Sequence, residues 1–170
     1  MARIAGSGAG ALTAAKLIAL LVPAALLAGA YGSEIFGGLI PCEMCWWQRY
    51  AHFAALALAA ASFLFSAMPD RGRSFVWLAA LAILTSGGIA LYHLGIEAGI
   101  FVRACGGSCR GPYEEMMKCL MRPKIPCDAV QWADPVIGIS MAGWNAIISV
   151  AAALVVGWLS LKRPGQPALA

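Results

Sequence analysis

The stretch that decides the fold is residues 51–92, read as AHFAALALAAASFLFSAM from Ala51 to Met68, PDRGRS from Pro69 to Ser74, and FVWLAALAILTSGGIALY from Phe75 to Tyr92. Each apolar run approaches the ~20 residues that an α-helix needs to cross a lipid core. Between them Asp70, Arg71 and Arg73 form a charged turn that belongs in water. The reading is a hairpin of two membrane helices. Trp46, Trp47 and Tyr50 stand at the entry of the first run, where interfacial aromatic belts sit. Ser86, Gly87 and Gly88 in the second run allow another helix to approach closely.

Two further apolar stretches flank the hairpin. One runs from Leu17 to Tyr31 behind Lys16, whose amine is expected to reach back to the headgroups, and Pro23 predicts a kink or frayed turn within it. Its small-residue ending Ala28-Gly29-Ala30 also fits the processing site of a signal peptide, so both readings stand. The other runs from Val136 to Leu161, with Asp134 as the expected cap, Pro135 at the first helical position, and Lys162, Arg163 and Pro164 at its end. Asn145 is its one strongly polar interior residue.

Composition agrees with this pattern. The chain has 170 residues, 61% hydrophobic and only 12% charged, with a mean hydropathy of +0.78. Soluble domains carry about twice that charge, so a water-soluble globule is excluded. Twelve basic and eight acidic residues give a net charge of +4, spread along the chain rather than gathered in a stripe. That argues against a nucleic-acid partner. The expectation is one all-α integral membrane domain over residues 1–170. Its four spans, 17–31, 51–68, 75–92 and 136–161, form a transmembrane bundle with a cysteine-rich outer loop, embedded in membrane lipid.

With four crossings, the connections 32–45 and 93–134 open on the same side of the membrane. All six cysteines, Cys42, Cys45, Cys105, Cys109, Cys119 and Cys127, lie in those two connections. Removing the first span as a signal peptide would not separate them. Lys and Arg tie in number between the two sides, but Arg71 and Arg73 sit in a very short turn, and Lys162 and Arg163 sit directly at a span end. Positive charge in such places holds a segment inside. The cysteine segments then face outward, into a compartment that permits disulfides.

Pro41-Cys42-Glu43-Met44-Cys45-Trp46-Trp47-Gln48-Arg49 places a dithiol at the mouth of the second span. Cysteines separated by two residues can close a small strained ring, and a helix N-terminus beside them favours the thiolate. Cys45 is the better placed of the two. At about 100° per residue, Arg49 and His52 fall on its helix face, so a cation sits one turn below the sulfur. Spacing alone leaves three readings open: a redox pair, half of a zinc site, or an inert staple.

Pro-Cys-x-x-Cys-x-x-Gln-Arg ahead of an apolar span resembles the disulfide bond formation protein B (DsbB) family in its short form. So do Cys127-Asp128-Ala129-Val130-Gln131-Trp132 and Gly138-Ile139-Ser140-Met141-Ala142-Gly143-Trp144-Asn145 later in the chain. The resemblance covers nearly the whole chain. It implies an enzyme of the bacterial inner membrane, with its cysteine loops on the periplasmic side. Such an enzyme takes electrons from a soluble DsbA-like thiol oxidase and passes them to a membrane quinone, ubiquinone or menaquinone, with no metal expected. By position, Cys42 and Cys45 would be the quinone-coupled pair, with Cys45 as the thiolate beside the quinone ring. Arg49 matches the quinone-site arginine of the family, and His93 would hydrogen-bond to a quinone oxygen. In the long connection Cys127 matches one member of a shuttle pair, and Cys105 is the expected partner.

The family pattern has two cysteines in that connection and this chain has four. Cys109 and Cys119 depart from it and are expected to form an inner staple. Between them, Tyr113, Met116, Met117, Leu120 and Met121 recur at helical spacing, which predicts a short amphipathic helix stopped by Pro123. Its apolar face suits the bundle or the headgroups, or else cover for the quinone or a partner. Three other functions compete. A zinc protein would gather sulfurs from both loops, a stapled non-enzymatic membrane protein would keep them inert, and an enzyme similar to vitamin K epoxide reductase would share the quinone chemistry. A transmembrane thiol carrier would want cysteines inside its spans, which have none.

Overall fold

The computed structural model describes residues 8–102, 113 and 125–162. Four α-helices account for most of them: α1 (Gly8–Gly37), α2 (Glu43–Leu64), α3 (Arg73–Glu97) and α4 (Met141–Leu161). Cys105, Cys109, Cys119 and most of the expected amphipathic helix lie outside the described residues. Three helices, α1, α3 and α4, are long and apolar enough to cross a membrane. By the same measure α2 is not among them, because Glu43, Gln48, Arg49 and His52 dilute its apolar run.

The boundaries correct several expectations. α1 is longer than the expected span and continues through Pro23, which is fully buried inside it. α2 starts eight positions earlier than the apolar run, so the Cys-x-x-Cys motif forms its first turn. α3 extends through His93 to Glu97, turning the start of the expected loop into helix. α4 does not begin at Val136. Asp134 caps a separate turn, accepting from the main-chain N–H of Val136 and Ile137, and Ala133 pairs with Ser140 in an antiparallel bridge. Ser140 then serves as the real N-cap, its hydroxyl accepting from Gly143 N at 3.1 Å.

α3 packs most extensively against α2 and α4, and α1 lies against α2 and α4. Small residues make this possible: Ala15, Ala19, Ala55, Ala59, Ala79, Ala80, Ala152 and Ala153 join Leu12, Val76, Ile83 and Val156 in one buried cluster. At Gly87 a Cβ would come within 3.1–3.2 Å of the Ser149 and Val150 side chains, so α3 and α4 approach closely there. The α2–α3 turn needs Gly72, which has φ +77 and stands against the Ser62 carbonyl where a Cβ has no room. Asp70 stabilises that turn. It accepts from the Ser74 hydroxyl and from the main-chain N–H of Ser74 and Gly72, and these bonds hold its carboxyl below the usual range.

Lys16 does not reach back to headgroups. It is buried, and its amine donates to the Ser62 carbonyl at 2.6 Å and to Ser66 Oγ at 2.8 Å. The last turn of α2 has carbonyls without helical partners and a negative dipole end, and a cation satisfies both.

Candidate functional site

The site forms where the N-terminus of α2 meets the C-terminus of α3 and the segment around Cys127. Cys42 is the N-cap of α2, with its sulfur accepting from Cys45 N at 3.2 Å. Cys42 and Cys45 are both free thiols, 2.7 Å apart, close enough that a small approach would form a disulfide bond. The Cys42 thiol hydrogen bond favours a thiolate at Cys45 and, against the cost of burial, a backbone bond from Cys42 and the Arg49 charge reinforce it. The Cys45 thiol is thereby lowered to about 7. The same hydrogen bond, with burial, pushes the Cys42 thiol up. One sulfur is thus held protonated and the other held ready as the nucleophile.

Cys127 is disulfide-bonded and almost wholly buried, and neither Cys42 nor Cys45 is its partner. It forms one buried cluster with Cys42 and Ile96, against which Met44 and Cys45 pack. Gln131 ties the two cysteine segments together. Its amide nitrogen donates to the Ile40 carbonyl at 2.6 Å, and its amide oxygen accepts from Ile40 N at 3.0 Å. The two connections therefore do meet at one end of the bundle.

Arg49 is buried and fully engaged. It donates to Glu34 at 2.6 Å and to the Ala30 carbonyl at 3.2 Å, with the rings of Tyr31 and Trp46 at 4.5 and 5.0 Å from its guanidinium carbon. His93 stands beside the cysteines. Nε2 lies 3.1 Å from the Cys127 carbonyl and 3.7 Å from the Cys42 sulfur, and Nδ1 lies 3.2 Å from the Gln48 amide nitrogen. Glu97, one turn further along α3, comes within 3.7 Å of His93 Nε2 and accepts from the Ser140 hydroxyl at 2.5 Å.

A cavity of about 330 Å³ opens beside these groups. Ala25, Leu26, Leu27 and Trp144 are among its apolar lining, and Cys42, Cys45, Arg49, His52, His93 and Glu97 supply its polar side. That size and balance suit a small, mostly apolar ligand carrying a few polar atoms.

The structure places Cys42, Cys45, Arg49, His93 and Cys127, all named from the sequence, at one end of the bundle. Sequence reasoning missed Glu34 and Glu97 and gave Gln48 no role of its own. The signal for Glu34 was an ionisable residue beside an apolar stretch, and for Glu97 its position four residues after a histidine.

The fold and site define a class: a helical membrane protein with a pair of adjacent free thiols at one end of its bundle. Residues 13–159 match the family described as Disulfide bond formation protein DsbB, and the chain belongs to that family. It is 30% identical over 158 residues to the Disulfide bond formation protein B of Marinobacter nauticus, covering 88% of this chain and 92% of that protein. The counterpart in Alkalilimnicola ehrlichii is 31% identical over 156 residues, 87% of this chain and 88% of that one. That of Xanthomonas campestris is 30% identical over 162 residues, 88% and 90%. No solved structure matches significantly. The chain is accordingly an oxidoreductase of disulfide bond formation.

Proposed function

We propose that this protein is a membrane thiol:quinone oxidoreductase, which reoxidises a soluble periplasmic DsbA-like dithiol oxidase and passes the electrons to ubiquinone or menaquinone. The observation that carries this reading is the placement of the Cys42–Cys45 pair. It forms part of the cavity wall and belongs to the same buried cluster as Cys127. In this reading α2 is the fourth span, the bundle sits in the bacterial inner membrane, and the cysteine end faces the periplasm. Cys105 is the shuttle partner of Cys127.

A quinone fits the residues present. The cavity is chiefly apolar, as an aromatic ring with a lipid tail requires, and its polar side holds the Cys45 sulfur and a guanidinium. Cys45, Arg49 and His93 would hold it. Bound there, a quinone supplies a two-electron acceptor dissolved in the lipid. The protein contributes charge and position. Arg49, already desolvated and fixed by Glu34, favours the Cys45 thiolate and the negative charge that develops on an acceptor oxygen.

Electrons enter through the loop. A thiolate of the soluble partner attacks the shuttle disulfide to form a mixed disulfide; the partner's second thiol then displaces it, so that the partner leaves as a disulfide and the loop becomes a dithiol. Cys127 shares a buried cluster with Cys42, and in this reading its thiolate attacks the Cys42 sulfur of the inner disulfide. The Cys42–Cys45 bond breaks, and the electron pair leaves on Cys45, the sulfur with the lower pKa. The second loop cysteine then attacks Cys127, restoring the shuttle disulfide and releasing Cys42 as a thiolate that takes a proton from water.

The test is direct. Purified protein in lipid nanodiscs, given a reduced DsbA-like dithiol and a short-chain ubiquinone, is expected to bleach the quinone absorbance in proportion to partner disulfide formed. Bleaching that continues with Cys42 and Cys45 both changed to serine would overturn the reading. Metal analysis of the same sample separates it from a zinc protein.

A further inference from the structure

A chain of buried side-chain hydrogen bonds runs from the cysteine site into the middle of the bundle. It begins at a group whose polarity cannot reverse, since the main-chain carbonyl of Cys127 only accepts. His93 Nε2, 3.1 Å from that oxygen, therefore carries the hydrogen, and Nδ1, which faces the Gln48 amide nitrogen, presents a lone pair. Gln48 Nε2 donates to Nδ1 at 3.2 Å, which turns the Gln48 oxygen toward Asn145. Asn145 Nδ2 donates to that oxygen at 2.8 Å and to Ser86 Oγ at 3.2 Å, while Ser86 donates to the Gln48 carbonyl at 3.2 Å. Asn145 Oδ1 in turn accepts from Ser149 Oγ and His52 Nε2, both at 2.9 Å.

Along this path, from His52 to Asn145 to Gln48 to His93, the donors point one way, toward Cys127. The orientation of two amides and two rings follows from one carbonyl. Gln48, Asn145, His52, Ser86, Ser149 and His93 are all buried, and Gln48, His52, His93 and Asn145 border the cavity.

We propose that Gln48 and Asn145 are positioning residues that lock His93 as an Nε2–H donor for the Cys42 sulfur during exchange with Cys127. The proposal rests on the thiol-exchange reading given above. His93 Nε2 is 3.7 Å from Cys42 Sγ, within reach of an N–H···S bond. When the second loop cysteine attacks Cys127 in the mixed disulfide, the Cys127–Cys42 bond breaks and its electron pair stays on Cys42. The Nε2–H bond stabilises that leaving thiolate until water protonates it. The opposite tautomer would aim a lone pair at both the sulfur and the carbonyl.

Gln48→Glu replaces the donating amide by an acceptor. His93 is expected to turn to an Nδ1–H ring, and Cys42 loses its donor. Asn145→Asp touches neither His93 nor a cysteine, yet it should give the same result by turning the Gln48 amide over. The chain has two histidines, so 15N NMR of histidine-labelled full-length protein in nanodiscs reads both rings. The wild type is expected to show Nε2–H at His93, and both variants Nδ1–H. In the variants, single-turnover exchange between the loop dithiol and the inner disulfide should slow by about tenfold or more, the loss of a hydrogen bond to a charged group.

An unchanged His93 tautomer in both variants would overturn the lock. A switched tautomer with an unchanged exchange rate would overturn its role in the chemistry. A wild type that shows the Nε2–H ring but never exchanges would sink the thiol-exchange reading, while the tautomer result would stand by itself.

Discussion

Near the 65–72 turn the four helices meet through Ala15, Ala19, Ala59, Val76, Ala79 and Val156, whereas at the cysteine end α2, α3 and α4 meet through Gln48, Ser86, His93 and Asn145. Alanines let backbones close up until little space remains, and close contact is what holds helices together where lipid competes with every apolar surface. At the cysteine end, larger polar side chains hold the helices at a distance set by hydrogen bonds, and a cavity remains. The difference teaches that stability and reactivity are carried by separate lengths of the same helices. Changes at one end should therefore leave the other largely intact.

The sharpest break comes from Cys45→Ser. It removes the thiolate and should lower dithiol-dependent quinone bleaching by about 10³-fold or more while barely moving the thermal midpoint in detergent. Arg49→Ala should lower quinone reduction by about 10²-fold, as loss of one fixed charge does in a dry site, with exchange between loop and partner preserved. Stopped-flow measurement of the two half-reactions separates them. At the packed end, Ile83→Ala should cost about 3 kcal/mol, read as a lower unfolding midpoint, with turnover per folded molecule unchanged. A large loss of turnover per folded molecule there would mean that the two ends are coupled.

Acidity refines the comparison. A Cys45 thiol held at about 7 is mostly thiolate above that pH and mostly thiol below it. Alkylation of the reduced protein by iodoacetamide should fall about tenfold per pH unit below 7 and level off above it. In Arg49→Ala the midpoint should move upward, because a cation that favours the charged form is gone. The smallest effect is expected for Lys16→Met, about 1 kcal/mol of stability from the lost contact with the α2 carbonyls, with quinone reduction unaffected.

Much of the fold was legible. Four apolar stretches became four helices, the two cysteine connections came to one end, and small residues in the third stretch did mark a close helix contact at Gly87. Helix ends were less legible. Asp134 and Ser140 are both good caps, and an isolated pattern cannot tell which begins the helix and which closes a preceding turn. Lys16 followed the usual habit of lysines near a span end only until a neighbouring helix offered it carbonyls instead.

By itself the sequence determined that the chain is a helical membrane protein with a Cys-x-x-Cys pair at the mouth of a helix. Hydrophobic length and Cys-x-x-Cys spacing are local properties that any fold of the chain must carry. Only the tertiary structure decided that Glu34 fixes Arg49, that Cys127 joins Cys42 in one buried cluster, and that Gln48 and Asn145 orient His93. Those contacts join residues up to 97 positions apart. They depend on how each helix is rotated and tilted against its neighbours, which packing settles and no short pattern encodes.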